Sequence, residues 1–290
     1  MNKIECTINN KKYEIVLENF KILFGSNYNE TYEVYKCLKT FFNKIPYSEF
    51  HKENNIRNSI LLNDNFIDVR NSLFFEVNID FDFILDAKLG TKSLILKYLE
   101  NTLEGIEYHE SFNTIKELLY SFINYEIKDQ VVLEFNDLNF LTECDDFNMK
   151  SLIKYIIPIL LKNDLEINNL DLTYQELIVF QIKLINRIAE KCKKNVFIAA
   201  NIPCITQNIL KELNLLNKNI YFIILSNHFN CEIDINNVIF TDLRWLDFSN
   251  ETTLIDYMMD MPFHYDINEL KTKIKESLNY YNFKKILFKK

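Results

Sequence analysis

Asn195-Val196-Phe197-Ile198-Ala199-Ala200-Asn201 is apolar at every interior position and shows no polar alternation. An alternating strand keeps one face in water; an unbroken apolar run marks a central parallel strand covered on both faces. The residues before it, Tyr174 to Lys194, carry Leu177, Phe180, Ile182, Leu184, Ile185 and Ile188 at helical spacing. After it come Pro203 and a helical pattern over Ile205–Leu213, then the apolar runs Ile220-Tyr221-Phe222-Ile223-Ile224-Leu225 and Val238-Ile239-Phe240. Strand, helix, strand, helix, strand is the order of an α/β sheet.

Working outward, residues 3–17 alternate on either side of Asn9-Asn10-Lys11-Lys12 and predict a β-hairpin. Lys21-Ile22-Leu23-Phe24 predicts a buried strand ending at Gly25, and Tyr32, Tyr35, Leu38, Phe41 and Phe42 predict a helix over 31–42. Residues 59–62 read as a strand, and 66–75 fit either a strand or the start of a helix. The segments 83–103, 111–127 and 147–162 are predicted helices, with the acidic stretch 129–146 between the second and third. The expected organisation is a discontinuous α/β head (1–82 and 166–248), a helical lid (83–165) and a helical C-terminal extension (249–290). No internal repeat stands out.

The 290 residues are 48% hydrophobic and 14% aromatic, with 3 Gly and 4 Pro, which excludes disordered and collagen-like chains. No apolar run is long enough to span a bilayer, and Met1–Cys6 lacks a signal-type apolar run, so a soluble cytoplasmic protein is expected. Its six cysteines form no CxxC pair, and His228 with Cys231 is a lone His/Cys neighbourhood, short of a zinc set. The net charge of −8 argues against a uniformly basic nucleic-acid binder and leaves patches to decide.

Three features bear on chemistry. The strand–turn–helix at 21–42 has the topology of a phosphate loop, but after Gly25 it offers Ser26, Asn27, Tyr28, Asn29, Glu30 and Thr31. There is no second glycine to wrap phosphates and no lysine to neutralise them, and Glu30 repels them. The strands that would supply a magnesium-binding Asp end in Ala200-Asn201 and Leu225-Ser226. ATP is therefore not expected.

The second feature is the acidic set Glu134, Asp137, Glu143, Asp145 and Asp146. It reads either as oxygen ligands for a hard divalent cation or as acids favoured at a helix N-terminus. No Lys or His stands beside it as a nuclease would need. The third is cationic spacing: Lys183, Arg187 and Lys191 at i, i+4, i+8 with Lys194 beside them, Lys150 with Lys154, and Lys88 with Lys92. Such stripes serve phosphate contact or are solvated helix faces. Residues 271–290 add seven Lys against one Glu.

Taken together, several stretches resemble the Csn-two family, the DNA-end-binding adaptation subunit of type II-A CRISPR–Cas systems. They are residues 3–42, Leu61-Leu62-Asn63-Asp64-Asn65-Phe66-Ile67-Asp68-Val69-Arg70-Asn71-Ser72, and Glu143-Cys144-Asp145-Asp146-Phe147-Asn148-Met149-Lys150-Ser151-Leu152-Ile153-Lys154. The most distinctive runs from Tyr174-Gln175-Glu176-Leu177 through Lys193-Lys194-Asn195-Val196-Phe197-Ile198-Ala199-Ala200-Asn201 to Ile220–Leu225. The resemblance covers roughly 1–248, and the tail makes this a longer variant.

It implies an ABC-ATPase-like head, degenerate and without ATPase activity, and a helical lid. It also implies a homotetrameric ring around double-stranded DNA ends, and calcium held by Glu143, Asp145 and Asp146. The implied partners are the CRISPR integrase complex and the RNA-guided nuclease, in spacer acquisition; no membrane is implied. The rival readings are a P-loop-derived ATPase, a metal-dependent nuclease, and a scaffold that touches only proteins.

Overall fold

The computed structural model describes residues 1–8, 11–46, 48–49, 58–127, 133–135, 138–140, 147–230, 232–241, 245–259 and 266–287. By internal contacts the chain divides into Met1–Phe81 with Leu172–Lys290, and Asp82–Asp171. The larger unit is mixed α/β. Its main sheet has six strands in the order β14(Trp245–Asp247), β13(Val238–Thr241), β3(Phe20–Phe24), β12(Ile220–Ser226), β11(Asn195–Asn201), β6(Ser72–Val77). The pairs are parallel except β13 with β14. The segment that fitted strand or helix, 66–75, is resolved in favour of β6, because its apolar residues line up beside Phe197 and Ile198 of β11.

A second, antiparallel sheet runs β2(Lys11–Leu17), β1(Asn2–Ile8), β4(Ser59–Leu62), β5(Asn65–Phe66). Helix α1(Tyr28–Phe42) packs with both sheets. Val34, Cys37, Leu38 and Phe42 form one core with Ile4, Cys6 and Ile15 of the antiparallel sheet and with Leu23, Phe197, Ala199 and Ile223 of the parallel one. Each Val, Leu, Ile and Phe among them contributes about 1.5–3 kcal/mol by leaving water. Period 2 sends Val196, Ile198, Ala200, Phe222 and Ile224 to the opposite face, and all are buried too. The unbroken apolar reading of β11 and β12 is thereby explained.

Helix α6(Tyr174–Lys191) opens with a capping box, Thr173 and Glu176 bonding reciprocally, and buries Ile178, Ile182, Ile185 and Ile188. Helix α7(Gln207–Asn214) packs beside it, and α8(Glu251–Met259) and α9(Ile267–Leu287) make the tail helical as expected.

In the smaller unit the expected helices come out shorter. Residues 83–103 split into α2(Phe83–Asp86) and α3(Leu94–Leu103). The Asp86 carboxylate accepts from the amides of Leu94 and Ile95 at 3.0 and 2.8 Å, so it caps the next helix instead of extending its own. Leu89, at φ +55°, turns the chain between them. Helix α4(His109–Ser121) continues as a π-helical segment, Phe122–Ile127, much as expected for 111–127.

Residues 147–162 yield only α5(Met149–Ile153); Pro158 bars a longer helix, and the chain then forms the hairpin β9(Leu161–Lys162) and β10(Leu165–Glu166). A further short pair, β7(Leu133–Phe135) and β8(Leu138–Phe140), lies within the acidic stretch. Asn169 Oδ1 accepts from the Phe83 amide at 2.8 Å and ties the two ends of this unit together.

Candidate nucleic-acid interface

The turn after β3 is closed. Gly25 sits at φ +151°, and a Cβ there would lie 2.7 Å from the Thr241 carbonyl carbon and 2.8 Å from its nitrogen. Glycine is required both by the dihedral and by the approaching strand. The Asn27 amide donates to Thr241 O at 2.9 Å, and the Asn27 side chain accepts from Glu30 N. Thr31 is buried, and its hydroxyl donates to Tyr28 O at 3.1 Å. Glu30 is paired with Lys11.

Along the same carboxyl edge, the buried Phe229 ring lies 6.1 Å from that of Phe24. The Ser226 hydroxyl donates to backbone carbonyls of Pro203 and His228 at 3.2 and 3.1 Å. The groups that would meet phosphates in an open loop are thus committed to the fold itself.

Behind the turn, Lys21 is fully buried with its ammonium 2.5 Å from Asp247 Oδ1, 2.6 Å from Asn236 O and 2.8 Å from Ser249 Oγ. Asp247 also accepts from the amides of Val16 and Ser249 at 3.0 and 2.9 Å. Desolvation pulls the Lys21 ammonium below its ordinary value, and the Asp247 charge opposes that. The pair joins β2, β3 and β14, and it is structural.

The cations predicted from spacing fall into two groups. Lys183, Arg187 and Lys191 do lie on one helix, α6, but Lys183 is bridged to Glu212 at 3.3 Å and Arg187 to Glu190 at 2.9 Å. Lys191 and Lys194 are exposed, with no acidic partner among the described residues. Lys194 lies beyond the end of α6, because the helix stops at Cys192 before β11 begins. In the smaller unit, Lys88 and Lys92 are exposed in the loop between α2 and α3, not on a helix face, as Asp86 ends the helix before them. Lys150 and Lys154 are exposed on α5 and at its C-cap.

Of the acidic set, Asp137, Glu143, Asp145 and Asp146 lie outside the described residues; Glu134 pairs through its backbone with Asn139 in β7–β8. Cys231 also lies outside them, while Cys6, Cys37, Cys192 and Cys204 are free thiols.

Sequence spacing missed Arg70, Lys193 and Lys218, which flank the amino ends of adjacent strands in the main sheet. The signal was present: a basic residue lies two or three positions ahead of each apolar run, and only the register shows that the runs are neighbours.

Comparisons place the fold. The crystal structure of Stu0660 of Streptococcus thermophilus superposes over 94% of this chain and 84% of its own, with a TM-score of 0.66 at 12% identity, and the two share a fold. A nucleotide-free ATP-binding cassette from an ABC transporter covers 92% of this chain and 99% of its own at a TM-score of 0.42 and 9% identity, too low to carry an argument. No family model matches the chain, and no curated protein does. Among the described residues no helix is long and apolar enough to cross a membrane.

Proposed function

We propose that this chain is a non-catalytic binder of double-stranded DNA ends that closes into a homotetrameric ring and acts in CRISPR spacer acquisition, with the integrase complex and the RNA-guided nuclease as partners. Its larger unit is read as a degenerate ABC-ATPase-like head. The observation that carries the reading is the closed turn at Gly25. It keeps the strand–glycine–helix order of a nucleotide-binding loop while Thr241 fills the space beside it. The exposed Lys191, Lys194, Lys150, Lys154, Lys88 and Lys92 support phosphate contact. The resemblance to the Csn-two family supplies the biological role.

Oligomerisation gathers cations from several protomers around one hole, so a chain of net −8 holds DNA inside while its outer surface repels it. A closed ring loads only where a duplex ends. Calcium belongs to the proposal through Glu143, Asp145 and Asp146, with Asp137 and Glu134 nearby in sequence, an oxygen-donor set of the kind hard cations take.

A band-shift series with linear and covalently closed duplex of one length, in calcium and in chelator, tests this. Retention of the linear form alone, weakened by chelation, supports the ring; equal retention of both forms removes it. Joint Asp145→Ala and Asp146→Ala substitution is expected to loosen the oligomer as chelation does, and an unchanged oligomer removes the metal.

One observation favours a protein-contact role as a second reading. Fifteen of the 24 exposed large apolar side chains among the described residues lie in Asp82–Asp171, including Ile106, Leu118, Tyr125, Ile157 and Leu170. Failure to retain any DNA at low salt would favour a scaffold built on that surface.

A further inference from the structure

The amino edge of the main parallel sheet carries a group of cations that no helical stripe explains. Three neighbouring strands contribute. Asn195 of β11 is in register with Ser72 of β6, and Val196 with Ile220 of β12. Extending that register sets Lys194 beside Lys218, just ahead of β11 and β12. Arg70 lies two residues ahead of β6, in the 3-10 turn Val69–Asn71. Lys191 and Lys193 stand on the approach to β11. All five are exposed, and none has an acidic partner among the described residues.

Elsewhere in the same unit several cations are answered, Lys3 by Asp64, Lys12 by Glu5, Lys39 by Glu76, Lys183 by Glu212 and Arg187 by Glu190. Lys36, Lys44 and Lys211, like the edge residues, have no acidic partner among the described residues but are not gathered at one place in the sheet. The acids nearest this edge in the chain do not answer it. Asp68 accepts from the Arg70 amide and the Asn71 side chain at 2.9 and 2.7 Å yet keeps its charge, and Glu190 is taken by Arg187. Glu18, exposed ahead of β3 on the strand next to β12, makes no ion pair with any of the five cations, which outnumber these acids at the edge.

The edge is also held rigidly. The Asn219 side-chain nitrogen lies 3.0, 3.3 and 3.0 Å from the carbonyl oxygens of Ala189, Cys192 and Lys194, and the Val196 amide donates to Asn219 O at 2.8 Å. The Asn217 amide donates to Asn186 Oδ1 at 2.9 Å. These asparagines fix the backbone under Lys191–Lys194 and under Lys218. An ordered backbone bearing unanswered cations meets a polyanion without first ordering its own main chain.

We infer that this edge is a contact surface for the sugar–phosphate backbone of a duplex, with Arg70, Lys191, Lys193, Lys194 and Lys218 as the phosphate-facing residues. The inference rests on the DNA-binding reading and assigns it a place. Three strands about 4.8 Å apart span about 10 Å. A duplex carries a charge about every 1.7 Å of axis with both strands counted, so that width spans about six phosphates, about three on each strand. An anionic membrane is the poorer occupant, because interfacial docking needs an apolar face beside the cations. Leu215 is the one exposed large apolar residue on the α7–β12 connection that leads to Lys218.

The test is equilibrium binding of a linear duplex to the full chain over a salt series. It compares wild type, the variant R70Q/K191Q/K193Q/K194Q/K218Q, and the paired-cation control K183Q/R187Q. The five-fold variant is expected to lose about four from the slope of log K against log salt and at least tenfold in affinity at the lowest salt. The control should change affinity less than threefold. K193Q/K218Q alone should lower the slope by about two, which keeps the test valid if the larger variant folds poorly.

A five-fold variant that binds with the wild-type slope overturns the inference and leaves DNA binding standing. Wild type that retains no duplex overturns both. Equal binding of linear and closed duplex removes the ring and leaves the edge. Vesicles of 30% phosphatidylserine in phosphatidylcholine are the last arm: loss of vesicle binding in the variant with duplex binding intact overturns it in favour of a membrane.

Discussion

Met1–Phe81 with Leu172–Lys290 and the unit Asp82–Asp171 treat their apolar residues in opposite ways. The first fills two sheet faces and the α1 layer between sheets with fully buried Ile, Leu, Val and Phe. The second, among the described residues, buries only Phe83, Leu94, Ile95 and Ile153 of its apolar side chains, and α4 buries none. Yet α4 places Phe112, Ile115 and Leu119 at helical spacing, and Phe122 of the following π-helical segment continues it. The larger unit holds itself together; the smaller presents surface.

The hairpins sharpen the contrast. Leu61-Leu62-Asn63-Asp64 and Leu161-Lys162-Asn163-Asp164 lie one hundred residues apart, a local repeat that the sequence reading passed over. Both turn through Asn-Asp at positive φ, 50° and 63° in one and 52° and 63° in the other, the geometry of a type I′ turn. Both lead into a 3-10 turn capped by an Asx side chain, Asp68 or Asn168. The first hairpin is built into the four-stranded sheet through β1; among the described residues the second is a two-stranded ribbon.

The largest expected effect tests the self-sufficiency of the larger unit. Lys21→Met strands the Asp247 carboxylate in the interior and should cost about 3–5 kcal/mol in denaturant melts. The Lys21 ammonium titrates below its unfolded value of 10.5. Between the two values the unfolded chain binds more protons, so this group's contribution to stability rises with pH there. The variant should lose that rise, and a wild-type profile in the variant would show the pair to be inert.

Next, Gly25→Ala should cost about 3 kcal/mol from the forbidden dihedral and the Thr241 overlap. A neutral result would mean that the turn is open and would return nucleotide binding to consideration. Asn63→Ala should cost about 2 kcal/mol, since it loses the αL tolerance of Asn and the bond from the Lys3 amide at 2.8 Å. Asn163→Ala lacks a matching bond among the described residues and should cost about 1 kcal/mol or less. Equal losses would erase the distinction between the hairpins.

The smallest effect on stability falls on the exposed surface of the smaller unit. Leu118→Ser with Tyr125→Ser should move the unfolding free energy by no more than about 0.5 kcal/mol per site. Sedimentation should nonetheless show weaker self-association. A large loss of stability with an unchanged oligomer would make those side chains part of a core.

Much of the fold was legible because its signals are local. Unbroken apolar runs marked β11, β12 and β13, and spacing marked α1 and α6. The helices of the smaller unit were overdrawn because Asp86 and Pro158 act on the backbone without disturbing the apolar period. The cationic stripe was legible as spacing, but whether a charge is answered is not: Glu212 lies 29 positions beyond Lys183 in the chain and reaches it only in the fold.

By itself the chain determined an α/β sheet, a degenerate strand–glycine–helix turn and a negative overall charge, since composition, periodicity and residue type carry those directly. The tertiary structure alone decided that Thr241 closes the turn, that Lys21 meets Asp247, and that Arg70, Lys194 and Lys218 come to one sheet edge. The first and last are outcomes of parallel strand pairing, and the Lys21–Asp247 pair adds the antiparallel β14 to it; such pairing joins segments far apart in sequence through connections that no local pattern records.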